Sequence, residues 1–187
     1  MPRPVSRTPA PELALPVAAL AALRQALADD VGPDAAAHAL RRAGHAAGDA
    51  LLAILAAGDG SEPNSLAELS EAEFWRRLSD HFAARGWGRL SHQAVHSGVG
   101  MLESPDWVEA NPDFAAERPS CFFTTGMLAN ILAGVATRPV AMLEVECRSR
   151  GDLHCRYLFG APETLRVVYD AAAAGPSELD TILAGLA

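Results

Sequence analysis

The stretch that decides the fold is RPVAMLEVECRSRGDLHCRYLF, residues 138–159. The segment 140–148 is typical of a β-strand that begins just after a proline. Ser-Arg-Gly-Asp at 149–152 is typical of a turn, and residues 153–159 are expected to return as the partner strand. This part of the sequence therefore predicts an antiparallel hairpin.

Two of the chain's three cysteines, Cys147 and Cys155, flank that turn. If Arg148 faces His154, then Cys147 faces Cys155, with Cβ atoms roughly 4.5–5.5 Å apart. Such a pair can share a metal ion or, after a small adjustment, form a disulfide. The third cysteine, Cys121, is expected at the start of a buried helix, where the helix dipole favours the thiolate that binds zinc.

Three thiolates leave one position of a tetrahedral metal site open. The candidates for it are Glu144, Glu146, His154 and a water molecule. Glu144 lies three residues before Cys147, so strict strand alternation puts the two on opposite faces. Glu144 can join the site only if the strand bulges or twists there. The alternative is three reduced, buried cysteines that act as small hydrophobic side chains.

Upstream of this hairpin the sequence predicts a second hairpin and a series of helices. Strands are expected at 90–96 and 99–103, turned around Ser97-Gly98. Helices are expected at 14–29, 33–57, from a Ser70 cap to Gly86, at 121–136, and as one or two helices over 162–186. The fold class that follows is α+β, with an antiparallel sheet of about four strands in two hairpins, backed by helices.

The domain organisation is simple, since 187 residues fit one domain. Residues 1–12 contain four prolines and are expected to form a flexible tail. A single ligand-binding domain is expected over 13–187. Its helical N-terminal part spans 13–60 and its core spans 65–187.

Charge and hydropathy exclude some classes of protein. The formal net charge of −8 argues against nucleic acid as a partner. No apolar run approaches the roughly 20 residues that span a bilayer. Pro16 interrupts the apolar segment near the N-terminus, which argues against a secretory signal, and an odd number of cysteines leaves one thiol unpaired. We therefore expect a cytoplasmic protein.

Several segments carry a family resemblance. PSCFFTTG at 119–126, RPV at 138–140, EVEC at 144–147, GD at 151–152 and HCR at 154–156 together resemble the 4-vinyl reductase domain family. The similarity extends over most of residues 35–170. It implies a fold shared with small subunits of vesicle-tethering complexes and with the sensor domain of phenol-responsive activators, commonly as a homodimer. It also implies a zinc ion held by Cys121, Glu144, Cys147 and Cys155.

The resemblance sets the expected function. We expect a stand-alone domain that binds a small hydrophobic or aromatic molecule, such as a tetrapyrrole, as a sensor or carrier with a structural zinc. The alternative is a 4-vinyl reductase acting on a divinyl tetrapyrrole, or an accessory of bacteriochlorophyll synthesis. The Gly-x-Gly at 98–100 lacks the third glycine of a nucleotide fingerprint, which favours a non-enzymatic role.

A ligand pocket should draw on aromatic, histidine and methionine side chains in the second half of the chain. Ordinary core packing is the alternative for the apolar members, and a solvated sheet face is the alternative for the histidines. The side chains predicted to line the pocket are His92, His96, Trp107, Phe114, Phe122, Phe123 and Met142.

Overall fold

The computed structural model describes residues 12–57, 66–175 and 179–186. The predicted tail at 1–12 therefore lies outside the described residues, apart from Glu12. The helices are α1 (Val17–Val31), α2 (Pro33–Ala57), α3 (Glu71–Ala84), α4 (Phe122–Ala136), α5 (Pro162–Ala174) and α6 (Leu179–Ala184). The strands are β1 (Ser91–His96), β2 (Val99–Ser104), β3 (Ala141–Glu146) and β4 (Cys155–Gly160).

The four strands form one antiparallel sheet in the order β1-β2-β4-β3. Each predicted hairpin is present, and the two hairpins join where β2 pairs with β4. The predicted α+β fold is confirmed, including its antiparallel sheet of four strands. Gly98, which begins the Gly-x-Gly motif, lies in the tight turn between β1 and β2, where its φ of 78° suits a glycine.

Local signals explain where several helices begin. The Ser70 side chain accepts a hydrogen bond from the backbone N–H of Glu73 at 3.2 Å, which caps α3 as predicted. Helix α2 begins at Pro33, because a proline in the first turn gives up no hydrogen bond that the helix needs. Helix α1 begins at Val17, three residues later than predicted, directly after Pro16.

Helices cover both faces of the sheet. On one face, α2, α3 and α4 pack over a core that includes Leu102 and Tyr157. On the other face, α5 and α6 pack over Met101 and Leu158. These pairs are neighbours in sequence, so the alternation of side chains along β2 and β4 supplies both cores.

Small residues let α2 and α4 approach closely. A Cβ atom on Gly44 would overlap the backbone carbonyl of Phe123, and one on Gly126 would overlap the carbonyl of Arg41. The close approach expected from the small residues of α2 is therefore made to α4. This packing fixes the N-terminal end of α4, which follows Cys121, against the rest of the domain.

Candidate metal centre and ligand groove

Four buried side chains converge at one end of the second hairpin. Cys121 immediately precedes α4, Glu144 lies on β3, Cys147 follows the end of β3, and Cys155 begins β4. One ligand atom from each lies within 4.8 Å of those from the other three. All three cysteines are reduced, so the predicted alternative of a disulfide is not formed.

A bulge in β3 brings Glu144 to the cysteines. Glu144 pairs with Tyr157 and Glu146 pairs with Arg156, so Val145 is the extra residue in the ladder. The bulge cancels the strict alternation that would put Glu144 and Cys147 on opposite faces. It is the distortion that the sequence required for Glu144 to join the site.

Glu146, one of the other candidates for the fourth position, is engaged elsewhere. Its carboxylate lies 3.0 Å from the guanidinium of Arg156. His154, the remaining side-chain candidate, is not among the donors that converge. Of the three side chains considered, the structure places Glu144 with the cysteines.

The Glu144 carboxylate has two different environments. Its Oε2 accepts a hydrogen bond from the backbone N–H of Cys121 at 2.8 Å. Its Oε1 is buried and has no hydrogen-bond partner among the described residues. A buried carboxylate oxygen without a partner is unfavourable unless a cation or a donor approaches it.

The cluster concentrates groups that become negative. Burial, followed by the charge of Cys147, raises the pKa of Glu144 to about 9. Hydrogen bonds from the Cys121 and Cys155 thiols hold the pKa of Cys147 well below its usual range. Burial raises the pKa of the Cys121 thiol well above its usual value. The protein alone therefore disfavours several negative charges here, and a bound cation would stabilise them.

The donor spacing fits a tetrahedral thiolate site. The sulfurs of Cys121 and Cys147 lie 3.8 Å apart. Zn–S bonds of about 2.3 Å at tetrahedral angles separate two sulfurs by about 3.8 Å. Three sulfurs and one carboxylate oxygen are also ligands that zinc accepts. By donor type, spacing and an unpartnered carboxylate oxygen, the residues present fit zinc.

Sequence reasoning missed a second buried carboxylate beside the site. Glu109 accepts hydrogen bonds from the backbone N–H groups of Phe123, at 3.0 Å, and Thr124, at 2.8 Å. It also accepts one from the Thr124 hydroxyl. Glu109 thus satisfies the first turn of α4 from outside the helix. It comes from an irregular segment, and no local pattern marks it.

A second missed residue connects α1 to the same region. The guanidinium of Arg24 donates to the backbone carbonyls of Glu109, at 2.5 Å, and Ser120, at 2.8 Å. Ser120 immediately precedes Cys121. Arg24 therefore bridges two chain segments that position the start of α4.

Two of the predicted pocket residues line one groove on the sheet. The groove has a volume of about 320 Å³ and runs between β1 and the C-terminal end of α4. His92 and His96 lie along it, with Phe159 and Arg138. The His92 ring stacks on Trp75 with centroids 4.0 Å apart. Burial lowers the pKa of His92 below its usual value of 6.5, so the imidazole is neutral at physiological pH.

The structure places other predicted pocket residues away from the groove. Trp107 is fully buried, and its indole N–H donates to the Thr124 hydroxyl at 2.7 Å. Phe123 stacks on Trp87 with centroids 6.0 Å apart. Trp107 and Phe123 belong to the core, because their neighbours already enclose them.

The remaining three predicted residues do not join the groove either. Phe122 points away from Phe123, since consecutive helical residues are about 100° apart, and the Arg41 guanidinium lies 4.7 Å from its ring centroid. Met142 packs against the core on the α4 side of the sheet. The side chain of Phe114 lies outside the described residues.

Within the described parts of the chain, no helix is long and apolar enough to cross a membrane.

The comparison with protein families confirms the resemblance that the motifs predicted. Residues 108–161 match the family model of the 4-vinyl reductase domain. This segment contains all four converging side chains. A comparison with curated proteins gives no match.

Solved structures share the fold. The phenol-responsive sensory domain of the transcription activator PoxR, in its crystal structure with phenol, superposes with a TM-score of 0.66 at 20% sequence identity. The alignment covers 89% of this chain and 85% of that one. A vinyl-4-reductase family protein from Methanocaldococcus jannaschii gives a TM-score of 0.41 at 24% identity, covering 58% of this chain and 74% of that one.

Proposed function

We propose that this chain is a small-molecule-binding sensor or carrier domain, with a ligand groove stabilised by a structural zinc ion. The observation that carries the proposal is the convergence of three cysteines and Glu144 in one buried cluster. With four protein ligands the coordination is closed, as in structural rather than catalytic zinc sites. When bound, the zinc would act as a cross-link between elements.

The cluster and the groove lie on the same elements. Cys121 precedes α4, whose last turns carry Leu132 and Val135 along the groove. Cys155 begins β4, and Phe159 near its other end forms part of the same groove. A link between the start of α4 and the second hairpin therefore fixes the two elements whose far ends shape the ligand site.

The groove suits a small aromatic ligand. Its volume of about 320 Å³ is at the low end of the roughly 300–1,000 Å³ typical of ligand sites, which favours a single ring over a tetrapyrrole. Its lining combines apolar side chains with a neutral imidazole at His92 and a cationic rim at Arg138. Support for an aromatic ligand also comes from the shared fold of the PoxR sensory domain, whose structure contains phenol.

A titration with phenol tests this assignment. Phenol is added to zinc-loaded protein, and binding is followed by amide chemical shifts. We expect the largest changes at residues that line the groove. His92→Ala should weaken binding by about tenfold, the effect of losing an aromatic contact worth about 1.5 kcal/mol.

His38→Ala is the matched control, because His38 is an exposed histidine on α2 outside the groove. It should bind phenol as the wild type does. Equal binding by all three proteins, or shifts confined to another part of the molecule, would contradict the groove assignment. A porphyrin added in parallel tests the larger ligand, and native mass spectrometry identifies any molecule carried through purification.

Homodimer formation and a cytoplasmic location are parts of the same proposal. Apolar side chains on and before α1 support a dimer, since Leu13, Leu15 and Leu23 are all exposed in the single chain. Sedimentation equilibrium should give twice the chain mass, and Leu23→Glu should shift the protein toward the monomer. Reduced cysteines support a reducing compartment.

A further inference from the structure

Tyr157 is fully buried, and its hydroxyl has no hydrogen-bond partner among the described residues. Leaving a polar group unpaired in a protein interior costs about 1–3 kcal/mol. Such a group in a native structure is therefore expected to serve a partner that requires it. Its surroundings show which partner this is.

The sheet places Tyr157 beside the metal cluster. It follows Cys155 by two residues on β4, so both side chains project from the same face. Across the ladder it pairs directly with Glu144. The charged groups acting on its hydroxyl are Cys121, Glu144 and Cys155, which are three of the four converging donors.

Among these three groups, Cys121 is the one that accepts from the hydroxyl. The Cys121 sulfur acts on Tyr157 through side-chain hydrogen bonding as well as through charge, although no completed bond satisfies the hydroxyl. Glu144 already receives the Cys121 N–H on Oε2 and offers Oε1 to a metal. A metal-bound cysteine is a thiolate and accepts hydrogen bonds, whereas a tyrosine keeps its proton at neutral pH and donates one.

The geometry points to Tyr157 as an outer-shell hydrogen-bond donor to the Cys121 thiolate of the zinc-loaded cluster. Tyr157 is then a positioning residue and not a ligand. The inference rests on the proposed zinc site and adds a function for a residue outside the donor set. Outer-shell donors orient metal ligands and tune their charge.

Tyr157 also connects the cluster to the aromatic core. Its ring lies edge-on to Trp107, with centroids 6.5 Å apart and an interplanar angle of 70°. The Trp107 indole N–H in turn donates to the hydroxyl of Thr124, in the first turn of α4. The strength of the Cys121–metal bond is thereby coupled to the packing that holds α4.

Tyr157→Phe tests the inference, because it removes only the hydroxyl. Tyr169→Phe is the matched control: it makes the same change at the chain's other tyrosine, which is 59% exposed on α5. All three proteins are loaded with Zn²⁺, and zinc loss to a chelator is timed. They are also loaded with Co²⁺, and the thiolate-to-cobalt charge-transfer band is recorded.

We expect Tyr157→Phe to bind one metal per chain and to bind it about 10–100-fold more weakly than the wild type. Its charge-transfer band should move to lower energy, since a thiolate that loses a donor gives up electrons more readily. Tyr169→Phe should match the wild type in both measurements. Wild-type rates and spectra in Tyr157→Phe would overturn the inference while leaving the zinc site intact.

Two further outcomes are decisive. If the wild type itself binds neither zinc nor cobalt, the proposed zinc site and this inference fail together. If Tyr157→Phe does not fold, ¹¹³Cd-loaded wild type is used instead, and a tyrosine hydroxyl proton coupled to the cadmium is expected in the NMR spectrum. A cadmium-loaded protein with no such coupling would overturn the inference.

Discussion

The carboxylate of Glu144 accepts the backbone N–H of Cys121, with 2.8 Å between Oε2 and the nitrogen. This bond ties β3 to the residue that precedes α4, and it leaves Oε1 without a partner among the described residues. One carboxylate thus orients the start of the helix and offers its second oxygen to a metal. The account of this domain depends on that division.

Glu144→Gln separates the two roles of this side chain. The amide oxygen can still accept the Cys121 N–H, but the amide nitrogen cannot ligate zinc. We expect the fold to survive and zinc affinity to fall by more than the about 10–100-fold typical of an outer-shell change. Competition with a chromogenic chelator measures the affinity.

Glu146→Gln is the control for that experiment. Its carboxylate lies two residues away and pairs with Arg156 near the surface. The variant should lose at most about 1 kcal/mol of stability and should bind zinc normally. Equal zinc affinity in Glu144→Gln and the wild type would exclude Glu144 as a ligand.

Gly44→Ala tests the close packing of α2 on α4. The new methyl group would overlap the rigid backbone carbonyl of Phe123, so the helices must separate. We expect the free energy of unfolding, measured in urea, to fall by about 1–3 kcal/mol.

Gly134→Ala is the matched control on α4. There the new methyl group meets the mobile end of the Leu52 side chain, which can move aside. Alanine also has a higher helix propensity than glycine by about 1 kcal/mol. The control should therefore be near neutral, and a Gly44→Ala protein as stable as the control would argue against the tight interface.

His81→Leu tests a pH dependence set by burial. Burial, with a smaller contribution from Arg85, lowers the pKa of His81 below its usual value of 6.5. As the pH falls below 6.5, the unfolded chain takes up a proton that the folded protein resists. The stability that neutral His81 supports is therefore complete above 6.5 and is lost on acidification.

We expect His81→Leu to show a shallower loss of unfolding free energy than the wild type between about pH 7 and pH 5. The dependence should not vanish, because burial also lowers the pKa of His92. Denaturant titrations at several pH values in excess zinc provide the measurement. His38→Leu changes an exposed histidine and should keep the wild-type slope; the same slope in His81→Leu would refute the assignment.

Arg24→Ala tests how α1 is attached. Helix α1 has no buried residue, so the two bonds from Arg24 to the carbonyls of Glu109 and Ser120 form a large part of its contact with the domain. We expect faster amide hydrogen exchange throughout 17–31. Arg42→Ala, at an exposed position on α2, should leave exchange in α1 unchanged, and unchanged exchange in Arg24→Ala would show that other contacts hold the helix.

The second hairpin could be predicted from sequence because its signals are local. The turn at 149–152 and the flanking strands fix which residues oppose each other, and this register brought Cys147 and Cys155 together on paper. The structure has Glu146 opposite Arg156, the same register one residue further out. Helix α2 was predicted with both ends correct, because Pro33 marks its start.

The fourth member of the cluster could not be derived from local pattern. The bulge at Val145 depends on how β3 packs on α4, and periodicity contains no information about that contact. The resemblance supplied Glu144, and the structure supplies the physical reason. Glu109 and Arg24 were missed because each acts on residues more than ten positions away in the chain.

The predicted pocket illustrates a different limit. His92 and His96 share a strand face, and one face of a strand can be inferred from a period of two. Trp107 and Phe123 are aromatic for the same reason that many core residues are, and only their neighbours distinguish a lining position from a packed one. Sequence alone identified the histidines of the groove and overestimated its aromatic lining.

The most direct test of the central claim is elemental analysis of the purified full chain, with thermal unfolding before and after chelation. The account predicts one zinc per chain and a large fall in the unfolding temperature on its removal, since structural zinc contributes on the order of 10 kcal/mol to folds that depend on it. Metal-free protein, with an unfolding temperature that neither added zinc nor a chelator changes, would contradict it.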